Sequence, residues 1–162
     1  MFNGTIRELK EKDLKDAEEI FGLYWEGELK DRFVQRAKDF VNRSPQLIEQ
    51  EYRYFVAEDN GEIVGAVTFR KAPDYIKQYS ETDNPAEFYV IAVKYKGRGI
   101  GYALRAKCLE EAKKLGFSEA LFYSAENHKD SWGFHDNSSF KRVSPASAPN
   151  GDPGYIWRME LQ

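Results

Sequence analysis

The stretch Ala86 to Gly101, AEFYVIAVKYKGRGIG, decides the fold. Glu87–Val93 is an almost unbroken apolar and aromatic run, which suits a strand buried on both faces. Ile100 opens a pattern with Leu104, Cys108, Ala112 and Leu115 on one stripe, so an amphipathic helix runs to about Leu115 and stops at Gly116-Phe117. Between them Lys96-Gly97-Arg98-Gly99-Ile100-Gly101 alternates three glycines. Glycine carries no Cβ, so the backbone amides there stand open to a ligand. A helix N-terminus adds unpaired N–H groups and partial positive charge, a combination that favours pyrophosphate. Residues 94–114 hold Lys94, Lys96, Arg98, Arg105, Lys107, Lys113 and Lys114 against Glu110 and Glu111, a local +5 in a chain of net −3. A Walker A loop would need Lys and then Ser or Thr after its last glycine, whereas Gly101 is followed by Tyr102 and Ala103. The third glycine is also misplaced for a dinucleotide fingerprint, which belongs after a first strand.

Outward from this stretch the pattern is mixed. Thr5–Leu9 reads as an opening strand. A helix follows with Asp13 as N-cap and Leu14, Ala17, Ile20, Phe21 and Tyr24 on one face. It breaks near Gly27, and a second helix carries Leu29, Phe33, Ala37 and Phe40, with Pro45 beyond its end. Tyr52–Glu58 and Ile63–Arg70 flank Asn60-Gly61, the strongest short hairpin signal. Residues 71–85 read as a loop, Ala120–Ala125 as a strand and 128–136 as holding a short helix. Phe140–Val143 and Tyr155–Leu161 close the chain around a breaker-rich loop, SPASAPNGDPG. The expected class is α/β (α+β): a mixed, mostly antiparallel central sheet flanked by helices, with one crossover late in the chain.

The 162 residues fit a single domain, 1–162. The charge is too balanced for nucleic acid or an anionic membrane to be the main partner. No apolar run approaches a membrane span or the core of a signal peptide, so a cytoplasmic location is expected. One cysteine, Cys108, and two histidines make a zinc site improbable, and no metal is expected.

In this context Lys96–Gly101 resembles the acetyl-coenzyme A loop of the GNAT-type N-acetyltransferases, Gln/Arg-x-x-Gly-x-Gly/Ala, with lysine at the basic position. Glu87–Val93 looks like the family's fourth strand, and Phe134-His135-Asp136-Asn137-Ser138-Ser139-Phe140 like its later Phe/Leu-Tyr/His-x-x-x-Gly-Phe segment. Ser139 departs from the usual glycine there.

The resemblance implies transfer of acetyl from acetyl-coenzyme A to a primary amine. It places Ile91, Ala92 and Val93 beside the pantetheine arm, with a backbone N–H such as that of Val93 polarising the thioester carbonyl. Arg98, Gly99, Ile100, Gly101, Tyr102 and Ala103 would cradle the pyrophosphate. Glu87 becomes the candidate base, or a solvated strand-end carboxylate. His135 takes the place of a tyrosine that protonates the leaving thiolate, or is a polar helix-end residue. Asn127 would bond the pantetheine arm, or cap a helix; Tyr123 is a second candidate donor.

Acceptor specificity is expected in Gly22–Arg32, Ala72–Pro85 and Ser144–Gly154; the aromatics and carboxylates of the first two suit a cationic, polyamine-like or aminoglycoside-like small molecule. A protein or peptide amine, and a non-catalytic acyl-coenzyme A sensor, are the competing readings. By analogy a homodimer is open, with a strand edge near Tyr155–Leu161 as its pairing surface.

Overall fold

The computed structural model describes residues 1–161. In chain order the elements are β1 (Thr5–Glu8), α1 (Leu14–Phe21), α2 (Gly27–Val41), α3 (Pro45–Glu49), β2 (Arg53–Asp59), β3 (Glu62–Lys71) and α4 (Asp74–Lys77). There follow β4 (Pro85–Val93), α5 (Ile100–Lys114), β5 (Glu119–Ala125), α6 (Trp132–Asp136), β6 (Lys141–Ser147) and β7 (Pro153–Glu160), with a 3₁₀ turn at Glu11–Asp13 and a 3₁₀ segment kinked at His128 over Glu126–Ser131. The seven strands run in the order β1-β2-β3-β4-β5-β7-β6. β4 and β5 pair parallel, and the registers of β1 with β2, β2 with β3, β5 with β7 and β6 with β7 are antiparallel. This is the mostly antiparallel mixed sheet the pattern predicts.

The chain divides into two compact units: Met1–Arg70 with Val90–Glu110, and Lys71–Tyr89 with the chain from Glu111 onward. In the first, β2 and β3 form the expected hairpin, and both turn residues take positive φ, +51° at Asn60 and +79° at Gly61. α1 and α2 bury Ala17, Ile20, Phe21, Phe33, Val34 and Ala37. Phe33 meets Phe21 and Trp25 edge-on at 6.3 and 4.8 Å, which locks the connection between the helices. Asp13 makes no side-chain cap bond to α1. Its buried carboxylate accepts both Arg7 guanidinium N–H groups at 2.7 and 2.9 Å, and the Lys10 N–H at 2.9 Å. A short polar residue before an apolar helix reads as a cap; here a fixed cation outcompetes the helix amides.

In the second unit β5 pairs with β7 along its whole length, Glu119↔Glu160 to Ala125↔Gly154. Leu121 and Ile156 pack with Ala72 and Ile76. Phe122 stacks on Trp157 at 5.3 Å and meets Phe140 at 5.0 Å. Buried Glu119 bonds Arg158 and accepts the N–H groups of Glu81 and Thr82, which pins the connection before β4.

Four expectations are corrected here. The 71–85 loop contains α4. The breaker-rich stretch after Val143 is mostly ladder: Ser144↔Ile156 through Ser147↔Pro153 are paired, and only 148–152 turn. Pro145 is tolerated because β6 is an edge strand, and Pro153 because it begins one. β7 therefore lies between β5 and β6, so Tyr155–Leu161 offers no free edge; the edges are β1 and β6. Leu115 is 38% exposed, outside the buried stripe of α5.

Burial pushes the Asp13 carboxyl up, but hydrogen bonds from Arg7 and Lys10 and the charge of Arg7 hold it below its usual 3.8. A depressed folded pKa gives stability that is complete above the unfolded value and is lost as pH falls through the folded one. Asp13→Asn should therefore cost about 2–3 kcal/mol near neutral pH, less than a fully buried pair because Arg7 keeps Glu58. The difference from wild type should shrink below about pH 4, as measured by denaturant unfolding across pH.

Candidate functional site

The nine residues of β4 change character along the strand. Pro85–Phe88 are all buried, whereas from Tyr89 to Val93 burial alternates, with Tyr89, Ile91 and Val93 half-buried and Val90 and Ala92 buried. The expectation of burial on both faces therefore holds for the first half alone. Among the described residues, the parallel register with β5 covers Pro85–Glu87 and stops at Glu87↔Leu121. The backbone of Ile91, Ala92 and Val93 lies beyond that register.

After β4 the chain makes one more ladder bond, from the Lys94 N–H to the Val64 C=O at 2.8 Å, and then turns. Gly97 and Gly99 have φ of +77° and +79°, a conformation that side-chain-bearing residues rarely adopt. The first bond of α5 runs from the Ala103 N–H to the Gly99 C=O at 3.1 Å. Helix geometry then leaves the N–H groups of Ile100 and Gly101 without an intrahelical acceptor, at the positive end of a 15-residue helix. Ala103, expected in the same cradle, has its own N–H committed to the helix. The Arg98 C=O accepts the Phe2 N–H at 2.7 Å.

What sets the position of this helix end is a residue the pattern does not flag. A Cβ on Gly65 of β3 would stand 2.8 Å from Leu104 Cδ1, 2.9 Å from Ile100 Cγ2 and 3.3 Å from the Ala92 C=O. The bare backbone at Gly65 lets the first turn of α5 lie directly on the sheet. Mid-strand glycine is a recognised sign of close approach, so the signal was present in the hairpin sequence.

The basic residues around the loop divide by role. Lys94 pairs with Glu62 at 2.5 Å, and the Tyr95 hydroxyl donates to the same carboxylate at 2.9 Å. Those hydrogen bonds hold Glu62 below the usual carboxylate range and raise Lys94. The Arg98 guanidinium lies 4.4 Å over the Tyr95 ring, and the Lys96 ammonium 5.6 Å over that of Tyr24. Arg105 is buried, which lowers its pKa to about 10 and still leaves it charged at neutral pH. Lys113 and Lys114 lie roughly 20 Å along the helix from its start. They complement its negative end and add nothing to the field at the loop.

Tyr24, expected on the apolar face of α1, lies beyond the end of that helix and donates its hydroxyl to the Val93 C=O at 2.8 Å. This ties the α1–α2 connection to the end of β4. Its aromatic, helix-spaced position reads as core, which hides the bond.

The remaining candidates belong to the second unit. Glu87 is 5% exposed on β4, so it is no solvated strand end. Asn127 is exposed within the 3₁₀ turn and caps no helix. His135 is 6% exposed, its ring 4.5 Å from Phe122, 5.2 Å from Trp157 and 5.5 Å from Phe134. The Tyr123 hydroxyl donates to the Asp152 C=O, and burial raises its pKa. Cys108 is fully buried on α5. Among the described residues no cluster of His, Cys, Asp or Glu is placed to hold a metal ion, and no helix is long and apolar enough to cross a membrane.

The Acetyltransferase (GNAT) family model matches residues 14–140, a span that includes β4, the glycine turn and α5. The chain belongs to the GNAT family of acetyltransferases. It is an acyltransferase, and acetyl-coenzyme A is the donor this family uses. Solved structures share the fold over nearly the whole chain. The PaiA N-acetyltransferase from Thermoplasma acidophilum, in complex with coenzyme A, is 15% identical over 96% of this chain and 98% of its own, with a TM-score of 0.68. The NatC complex bound to Gag peptide and coenzyme A is 14% identical over 98% of each chain, TM-score 0.71. Aminoglycoside 6'-acetyltransferase type Ii is 20% identical over 98% of this chain and 97% of its own, TM-score 0.71. No curated protein matches the chain.

Gly65→Val should force α5 off the sheet at a cost of about 1–3 kcal/mol. Denaturant unfolding should show a lower midpoint with unchanged slope, and an unaltered midpoint would remove Gly65 from this role.

Proposed function

We propose that the chain is an N-acetyltransferase that moves the acetyl group of acetyl-coenzyme A to a primary amine of a small molecule, by direct attack with both substrates bound. One observation carries the donor half: the amides of Ile100 and Gly101 at the start of α5, presented behind the left-handed Gly97 and Gly99. No side chain projects from Gly99 or Gly101, and the surrounding charge is basic, so the residues fit a pyrophosphate. Arg98, Gly99, Ile100, Gly101 and Tyr102 hold it, with Ala103 completing the turn. Ile91, Ala92 and Val93 lie along the pantetheine arm, and the Asn127 amide bonds it. The bound donor supplies an acyl group activated as a thioester.

The chain's own groups do the rest. The Val93 N–H donates to the acyl oxygen, and the Tyr24 bond to the Val93 C=O anchors the peptide unit that follows it. An amine of ordinary pKa, about 10.4, reaches the site as an ammonium without a lone pair. Glu87, buried on β4, takes the proton that must leave before attack. Resemblance gives His135 the return of a proton to the thiolate, while its enclosure by three aromatic rings favours packing. His135→Phe fills the same space, and kcat profiles across pH separate these roles: a profile unchanged from wild type makes His135 a core residue.

The test is a thermal-shift titration of the purified protein with acetyl-coenzyme A, coenzyme A and ATP. Donor at about a hundred times Kd adds about 2.7 kcal/mol, which raises Tm by roughly 5–10 °C. ATP should produce no shift. Gly99→Val should abolish the shift, whereas Glu87→Gln should keep it and lower kcat about 10²–10⁴-fold in an amine screen. No shift with either coenzyme A species at millimolar concentration would overturn the reading.

A further inference from the structure

The second unit contains a cavity of about 650 Å³, within the usual range for small-molecule sites. It brings together two of the segments expected to set acceptor choice. Tyr79 comes from the connection before β4, while Ser147 and Gly154 come from β6 and β7. Glu126, Trp132 and Tyr155 complete the polar and aromatic part of the wall.

The wall has a definite chemistry. Among the described residues no lysine, arginine or histidine lines it, and the Glu126 carboxylate is its single full charge. Trp132 and Tyr155 meet edge-on at 5.4 Å, fixed by the Trp132 indole N–H donating to Ser124 Oγ at 3.0 Å. These rings already hold a cation. The Arg142 guanidinium stands 4.9 Å over each of them and 5.2 Å over Trp157. Asp136 neutralises it at 2.6 Å, and the Trp157 indole N–H binds the other oxygen of that carboxylate at 2.9 Å. Aromatic faces attract cations through their quadrupoles, and a nearby carboxylate adds to the attraction.

We infer that this cavity binds a small organic polycation, an amine-bearing acceptor whose ammonium groups lie against Trp132, Tyr155 and Glu126. The inference rests on the transferase reading, for which it names the class of the second substrate. Arg142 then has a specific effect. It competes for the same rings and carries like charge, so it limits how tightly the amine is held.

Spermidine is the probe, with 1,8-octanediol as an uncharged control. Both are titrated calorimetrically into the full chain, with and without coenzyme A, while Trp fluorescence is followed. Spermidine should bind saturably and the diol should not. Glu126→Gln, at an exposed position, should weaken spermidine about three- to tenfold. Arg142→Gln should tighten it by a similar factor, and circular dichroism should show both variants folded. The inference is overturned if spermidine fails to bind at millimolar concentration, or if Glu126→Gln is neutral and Arg142→Gln weakens binding. Either result together with an intact acetyl-coenzyme A shift leaves the transferase reading standing. Spermidine binding with these variant effects but no such shift leaves the cation site standing and removes the transferase reading.

Discussion

The contact between Gly65 and the first turn of α5 is the constraint on which the proposed site depends. Without a side chain at Gly65, Ile100 and Leu104 rest on the backbone of the sheet. The start of the helix is thereby fixed beside the end of β4. Two left-handed glycines then absorb the turn between strand and helix, and the Ile100 and Gly101 amides that follow have no partner within the helix. An anion site built this way uses almost no side-chain chemistry. Its affinity comes from amides and a dipole held in place by packing, so a distant change in volume matters as much as a change of charge.

Much of this was legible in the sequence because the relevant signals are local. Asn60-Gly61 specifies a tight turn, and both residues take the positive φ that turn needs. The stripe of Ile100, Leu104, Cys108 and Ala112 specifies a helix face, and all four are buried. The fold follows from such features in sequence order. Where the reading departs from the structure, the deciding partner is distant along the chain. Asp13 looks like a cap until Arg7 is placed beside it. Pro145 and Pro153 look like loop residues until β6 is seen to be an edge and β7 to begin at a proline. Tyr24 looks like core because nothing local reveals a bond to a carbonyl 69 residues away.

The site was less legible than the fold for a related reason. The glycine loop announces itself through composition, and Gly97 and Gly99 take left-handed φ. The side chains proposed for proton transfer carry no such mark. Glu87 and His135 are both buried, and burial serves a core polar group as well as a catalytic one. Acceptor choice, proposed to lie in the connecting segments, carries no motif in this sequence. The related structures make the same point, since one is an aminoglycoside acetyltransferase and another binds a peptide. What this chain offers instead is the physical character of one cavity wall, aromatic and carboxylate-bearing.

The central claim is that the backbone amides at the start of α5 bind the donor's pyrophosphate. A ¹⁵N-resolved NMR titration with coenzyme A reads those amides one by one. The account expects the largest shifts at Gly99, Ile100, Gly101 and Tyr102, with smaller ones at Ile91 to Val93. Saturable binding that leaves those amides unmoved, with its shifts elsewhere in the chain, would contradict it.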